Sequence, residues 1–380
     1  MFFSKGLRIG RISGITIGID YSWFIIFGLF VFLLGQQFFP LVVKGLPITF
    51  YWAAAIFTSL LFFASVLFHE LSHSLVARRN GIPITSITLF IFGGVAQMDD
   101  EPNTAATEFK MAIAGPLASL GIAVIFWGCA LVSRVIDSRI LYASFTYLWF
   151  INVVLAVFNL IPAFPLDGGR VFRAAIWGWT RDLRRSTHIS SIIGQSFGWL
   201  LIAGGIVSIF FLRGGTFNGI WFALIGWFIV TAARNSYQQV LLRETLSQVP
   251  INEVMNTQFE AVPADISVDH LVTEYFLRDG TSVLPVERNG ELLGMVSVEN
   301  VRALPQERWG STLVSEITTP VAEEQVVHPG NDAWDATAKM SRSNRDRVLV
   351  TEGNHVEGIV TRATILRWLQ MHTPWAMGQA

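Results

Sequence analysis

A single cysteine, Cys129, excludes any intramolecular disulfide in this chain of 380 residues. Charge is scarce as well. Asp, Glu, Lys and Arg together make up 14% of the sequence, against roughly 25% in an ordinary soluble domain. The net charge of -1 leaves no basic surplus on which nucleic-acid binding could rest. Apolar residues fill the chain instead, 52% of the total, with 30 Phe and 13 Trp. Such a composition describes a polytopic membrane protein.

Six apolar runs, at 15–43 (interrupted by Asp20), 50–77, 109–132, 143–161, 192–212 and 219–233, predict about six transmembrane helices. Lys5, Arg8 and Arg11 before the first run give the opening segment the look of a secretory signal. The run is too long for that and lacks a small-residue cleavage site, so it reads as a retained span. Alternate loops carry unequal charge: Lys5, Arg8, Arg11, Arg78, Arg79, Lys110, Arg170, Arg173, Arg181, Arg184 and Arg185 on one side, Lys44, Arg134, Arg139 and Arg213 on the other. The positive-inside rule then places both termini in the cytoplasm. Beyond Arg234 charges recur every few residues and apolar runs shorten to strand length. The expected division is a membrane domain at 1–235, a linker at 236–248, a soluble α/β module at 249–371 and a tail at 372–380.

Within the second run stands His69-Glu70-Leu71-Ser72-His73. Residues 50–68 before it contain no charge, and as a helix they would span roughly 28 Å, close to the bilayer core thickness. H-E-x-x-H puts two imidazoles one helical turn apart on one face, where both can ligate one Zn²⁺ while the intervening carboxylate reaches a water at the metal. A membrane histidine pair can also bind a pigment or arise from helix packing, so a third ligand has to decide. Asp167 is the candidate, in Asn159-Leu-Ile-Pro162-Ala-Phe-Pro165-Leu-Asp167-Gly168-Gly169-Arg170. Pro162 and Pro165 predict unwound backbone at the cytoplasmic end of the fourth run, and Gly168 and Gly169 a tight turn aiming the carboxylate inward. Two His and one carboxylate leave a fourth position for water, as in a catalytic zinc site.

These two motifs together resemble the site-2 protease family of intramembrane zinc metalloproteases, over about residues 1–235. The resemblance implies one Zn²⁺ per chain held by His69, His73 and Asp167, Glu70 as general base, and Asn159 at the site as a hydrogen-bond donor to a substrate carbonyl or to the developing oxyanion. It implies a membrane-protein substrate cleaved in or near its transmembrane segment, that is, regulated intramembrane proteolysis in a bacterial or archaeal cell membrane. Ala114-Gly115-Pro116 resembles another family element; from the residues alone, Ala114 and Ala118 form a small-residue packing face. The segment from Thr85 to Met98 reads as short extended pieces with a Gly turn or as an ordinary interfacial loop, and the family implies that such a segment dips in beside the site.

In the tail, the segment from Leu284 to Ser297 recurs in outline from Val348 to Thr361, with Gly294 and Gly358 in equivalent places. Each unit reads as strand, polar Gly/Asn turn, strand ending in Ser or Thr, then helix. The pattern resembles tandem CBS domains, which implies homodimerisation and either adenine-nucleotide regulation or a purely structural, dimerising role. The acidic residue expected three positions after the Ser or Thr is replaced by Asn300 and Thr364, so Ser297 and Asn300 are the better nucleotide contacts. His188 is expected in a polar loop and the tail histidines on the surface. The competing reading is a non-proteolytic metal-ion transporter or sensor with CBS domains. Against it, the ionisable residues of the membrane runs cluster at one depth instead of lining a path.

Overall fold

A computed structural model of the protein describes residues 6–98, 102–211, 216–279, 282–343 and 345–372. It divides into two compact units, Met1–Val240 and Leu241–Ala380.

The first unit departs from the expected first span at its beginning. Residues 15–20 alternate in a period of two, and they form β2 (Ile15–Asp20), antiparallel to β1 (Gly6–Ile12). The helix starts only at Tyr21, where Asp20 accepts the Ser22 amide N–H at 2.9 Å. Asp20 is thus an N-cap and not a membrane-buried charge. Helix α1 (Tyr21–Leu33) continues through a π turn at Leu34–Phe38 into α2 (Phe39–Val42).

Helix α3 (Ile48–Arg79) follows, then a hairpin of β3 (Ile84–Phe90) and β4 (Gly93–Met98) that confirms the expected extended segment. The four strands form one sheet in the order β1-β2-β3-β4, which leaves β4 at an edge. The remaining helices are α4 (Ala105–Val135), α5 (Arg139–Asn159), α6 (Asp167–Thr180), α7 (Leu183–Phe211) and α8 (Thr216–Leu246). His188 lies inside α7, not in a loop: the helix starts ahead of the apolar run, in the stretch containing Arg184 and Arg185.

Among the described residues five spans are long and apolar enough to cross a membrane: Tyr21–Val42, Ile48–Arg79, Ala105–Val135, Arg139–Asn159 and Leu183–Phe211. The sixth expected run, 219–233, lies within α8, which is not one of the five. Phe24, Leu60, Val124, Phe150 and Trp199 all point outward from these spans. A continuous apolar exterior of this kind suits lipid and not water.

The second unit is a pair of similar halves. One holds β5 (Val262–Pro263), α9 (Val268–Leu271), α10 (Leu277–Asp279), β6 (Val283–Arg288), β7 (Glu291–Ser297), α11 (Val298–Arg302) and α12 (Val314–Ile317). The other holds β8 (Val326–Val327), α13 (Ala333–Arg342), β9 (Arg347–Glu352), β10 (His355–Thr361) and α14 (Arg362–His372). Each sheet is a short parallel strand, a central strand and an antiparallel partner, β5-β6-β7 and β8-β9-β10. Asn289 and Gly290 both take positive φ in the β6–β7 turn, as the Asn-Gly sequence predicts. The halves interlock: Asn256, ahead of the first, bridges to Ile359 of the second, and Thr319, ahead of the second, bridges to Met295 of the first. Each half has its own apolar core, one around Val286 and Val296, the other around Val350 and Val360.

Candidate metal centre and active site

Helix α3 supplies His69, Glu70 and His73, and both imidazoles are buried. Their Nε2 atoms are 3.2 Å apart, and Asp167 Oδ2 lies 3.1 Å from the first and 3.2 Å from the second. Among the described residues this is the one group of three His, Cys, Asp or Glu side chains whose ligand atoms gather in this way. A tetrahedral ion with nitrogen and oxygen ligands at about 2.0–2.1 Å needs donors about 3.3 Å apart.

The other ring nitrogen of His73 fixes its tautomer, and that of His69 meets a hydroxyl. His73 Nδ1 donates to the Met111 carbonyl at 2.6 Å, and because a carbonyl cannot donate, Nε2 is left with its lone pair toward the cluster. His69 Nδ1 is 2.9 Å from the Ser119 hydroxyl, which is fully buried. Met111 and Ser119 both belong to α4, and Gly115 lies between them on the same face. A Cβ on Gly115 would stand 2.6 Å from His69 Nε2 and closer still to His73 Nε2. The Ala-Gly-Pro element read as a packing face is therefore the wall of the cluster, and the close approach of Gly115 to both imidazoles is a feature that the residues alone do not reveal.

Asp167 opens α6 after the irregular stretch at 160–166, where Pro162 and Pro165 interrupt the helical path as expected. Gly168 and Gly169 do not form the expected turn. They occupy the first turn of α6, pressed against preceding backbone: a Cβ on Gly169 would lie 2.5 Å from the Ala163 carbonyl carbon. Their role is close approach, which seats the helix start, and with it Asp167, beside α3.

A cavity of about 540 Å³ joins His69, Glu70, His73, Asp167 and Asn159, the last residue of α5. Its other walls include residues 93–96 of β4 and the α8 residues Phe228 and Ile229. Gly94 packs on Glu70, with room for no side chain: a Cβ there would lie 2.9 Å from the carboxyl carbon. Phe92 stacks on Phe228 with centroids 4.7 Å apart.

In the second unit a cleft of about 590 Å³ is lined by Ser297, Asn300, Thr319, Arg345, Asp346 and Arg347, among others. Ser297 caps α11 and exchanges hydrogen bonds with Asn300, whose Nδ2 donates to Thr319 Oγ1 at 3.2 Å. Both expected contact residues thus line the cleft, and both are engaged in the local cap. Burial lowers the Arg347 guanidinium from its usual value, and nearby Asp346 opposes the shift.

A buried H-E-x-x-H pair joined by an aspartate from a later helix, in a chain of apolar spans, defines a membrane metallopeptidase. The chain belongs to peptidase family M50, whose model matches residues 57–137 and 133–202, and it carries two CBS domains, matched at 251–307 and 314–371. Among its relatives, Rip3 of Mycobacterium tuberculosis, which bears a zinc-metalloprotease name, is 33% identical over 369 residues, or 96% of this chain and 93% of that protein. Zinc metalloprotease MJ0392 of Methanocaldococcus jannaschii is 30% identical over 368 residues, 95% of each. The solved site-2 protease of Methanocaldococcus jannaschii is 31% identical, covering 61% of this chain and 94% of that one with a TM-score of 0.41.

Proposed function

We propose that the protein is an intramembrane zinc endopeptidase of the site-2 protease type, which hydrolyses a peptide bond in or near the transmembrane segment of a membrane-protein substrate. The observation that carries this reading is the convergence of His69 Nε2, His73 Nε2 and Asp167 Oδ2 at 3.1–3.2 Å inside an apolar span. That donor set and those separations fit a tetrahedral zinc with one position open. When bound, zinc supplies Lewis acidity, which acidifies water and polarises a carbonyl.

The chain's own residues do the rest. Glu70 faces the cavity next to the cluster, where its carboxylate takes the proton of the attacking water and passes it to the leaving amine nitrogen. Asn159, at the cavity edge, offers its amide N–H to the substrate carbonyl. A substrate helix hides its carbonyls in internal hydrogen bonds and has to unwind before attack. β4 lies at the sheet edge beside Glu70, and an edge strand can take up an extended segment as an added strand. Loop charges favour cytoplasmic termini, which takes α8 as a sixth crossing beside the five long apolar spans, and the cluster then lies toward the cytoplasmic end of α3.

The cleft lined by Ser297 and Asn300 suits an adenine nucleotide, and the CBS pair suits homodimerisation, so that ligand state could be coupled to proteolysis. Purified protein in proteoliposomes with single-span candidate substrates tests the reading. Wild type should cleave, and Glu70→Gln should keep its zinc while losing at least about 10²-fold in turnover. Wild-type cleavage by that variant would remove Glu70 from the mechanism.

A further inference from the structure

One charged cluster in the membrane unit has no part in the chemistry above. Glu108, in the first turn of α4, is fully buried. Its Oε1 accepts from Arg173 Nε at 2.7 Å and from Arg173 Nη2, and Arg170 Nε lies 3.9 Å from the same oxygen. Oε2 has no hydrogen-bond partner among the described residues. Arg173 is itself buried, and its guanidinium lies 5.0 Å from the centroid of the Phe164 ring.

Stability alone does not account for this arrangement. A buried ion pair typically holds a fold no better than an apolar pair of the same shape, because desolvation offsets the attraction. Its placement is more telling. Glu108, Met111, Gly115 and Ser119 recur at helical spacing, so they form one stripe along α4. The last three are the His73 acceptor, the glycine under both imidazoles and the His69 partner. Arg170 and Arg173 follow Asp167 by three and six residues on α6, and Phe164 belongs to the irregular segment leading into Asp167. The carboxylate therefore ties the helix that orients both histidines to the helix that carries the third ligand, through two donors whose direction is fixed.

We propose that Glu108, through Arg173 and Arg170, is a positioning residue for the metal centre: it sets the register of α6 against α4 and thereby the place of Asp167 relative to the two imidazoles. This rests on the zinc reading above. The test uses the full-length protein in detergent, with zinc affinity measured by chelator competition and the visible spectrum of the cobalt-substituted form as a report on ligand geometry. Glu108→Gln removes the charge, and Arg173→Lys keeps charge but loses the guanidinium's fixed pair of donors.

Because Glu108→Gln strands a buried cation and can fail to fold, the doubly neutral Glu108→Gln/Arg173→Gln variant is measured beside it. Leu148→Ala, a cavity in fully buried α5 packing away from the cluster, is the control for general loss of stability. The expected result is zinc binding weakened about 10- to 100-fold with an altered cobalt spectrum in the charge variants, and wild-type values in Leu148→Ala. Wild-type affinity and spectrum in folded charge variants would overturn the proposal. So would equal weakening by Leu148→Ala at equal loss of melting temperature. Wild-type protein that binds no zinc would instead overturn the underlying reading.

Discussion

The Nδ1–H of His73 donates to the backbone carbonyl of Met111 at 2.6 Å, so one turn of α4 decides which nitrogen of a histidine on α3 faces the cluster. The same helix turns its Ser119 hydroxyl to His69 Nδ1 at 2.9 Å. Both α3 histidines are therefore oriented by a neighbour and not by their own helix alone.

Ser119 can be tested directly. Ser119→Ala leaves His69 Nδ1 without its partner in a buried site, which frees the ring to rotate and to change tautomer. Zinc affinity should fall about tenfold, at the lower end of what such supporting contacts contribute to metal sites, while Ser119→Thr, which keeps the hydroxyl, should lose less. Chelator-competition titration reads the difference. Equal affinities for wild type and Ser119→Ala would show that the hydroxyl does not orient the ring.

Gly115 and Gly121 make a matched pair on α4. A methyl at Gly115 collides with both Nε2 atoms, whereas a methyl at Gly121 meets nothing within 4 Å. Gly115→Ala should lose zinc binding and at least about 10²-fold in cleavage rate through displaced ligands. Gly121→Ala should keep both and raise helix stability by roughly 0.5–1 kcal/mol. Metal content and thermal unfolding of the two variants check this, and full zinc occupancy in Gly115→Ala would contradict the close approach.

How much of this was legible in the sequence depends on the range of the interaction. That His69, Glu70, His73 and Asp167 come together could be read because helical spacing and helix-breaking prolines are local signals, and the CBS repeat because it occurs twice. Gly115 and Gly94 could not: a missing side chain leaves no trace until another element is packed against it. Glu108 was silent for the same reason, since an acidic residue at a helix start reads as an ordinary dipole-matching charge. The edge of the first span is ambiguous in sequence, because an apolar strand and an apolar helix share one composition and only the alternation at 15–20, with Asp20 as a cap, separates them. Gly168 and Gly169 read as a turn in the sequence because a glycine required for close packing and one required for positive φ look alike there.

For the CBS cleft, titration calorimetry of the full-length protein with AMP, ADP and ATP should give saturable heat for at least one of them. Asn300→Ala should weaken that binding by roughly tenfold, with a further loss of about 1 kcal/mol in stability from the broken cap. Cleavage rate should shift with nucleotide, since preferential binding to one conformation changes its population. No heat at millimolar nucleotide, with an unchanged rate, would leave the repeat as a dimerisation platform.

The central claim is that His69, His73 and Asp167 hold one zinc on which proteolysis depends. The most direct measurement follows cleavage of a single-span substrate in proteoliposomes as zinc is stripped by a chelator and returned by titration, with metal content recorded at each point. Activity should vanish with the metal and return in proportion to zinc, saturating at about one ion per chain for wild type, with no recovery in Asp167→Ala at the same zinc concentration. Cleavage that survives complete removal of the metal, or full recovery in Asp167→Ala, would contradict the account.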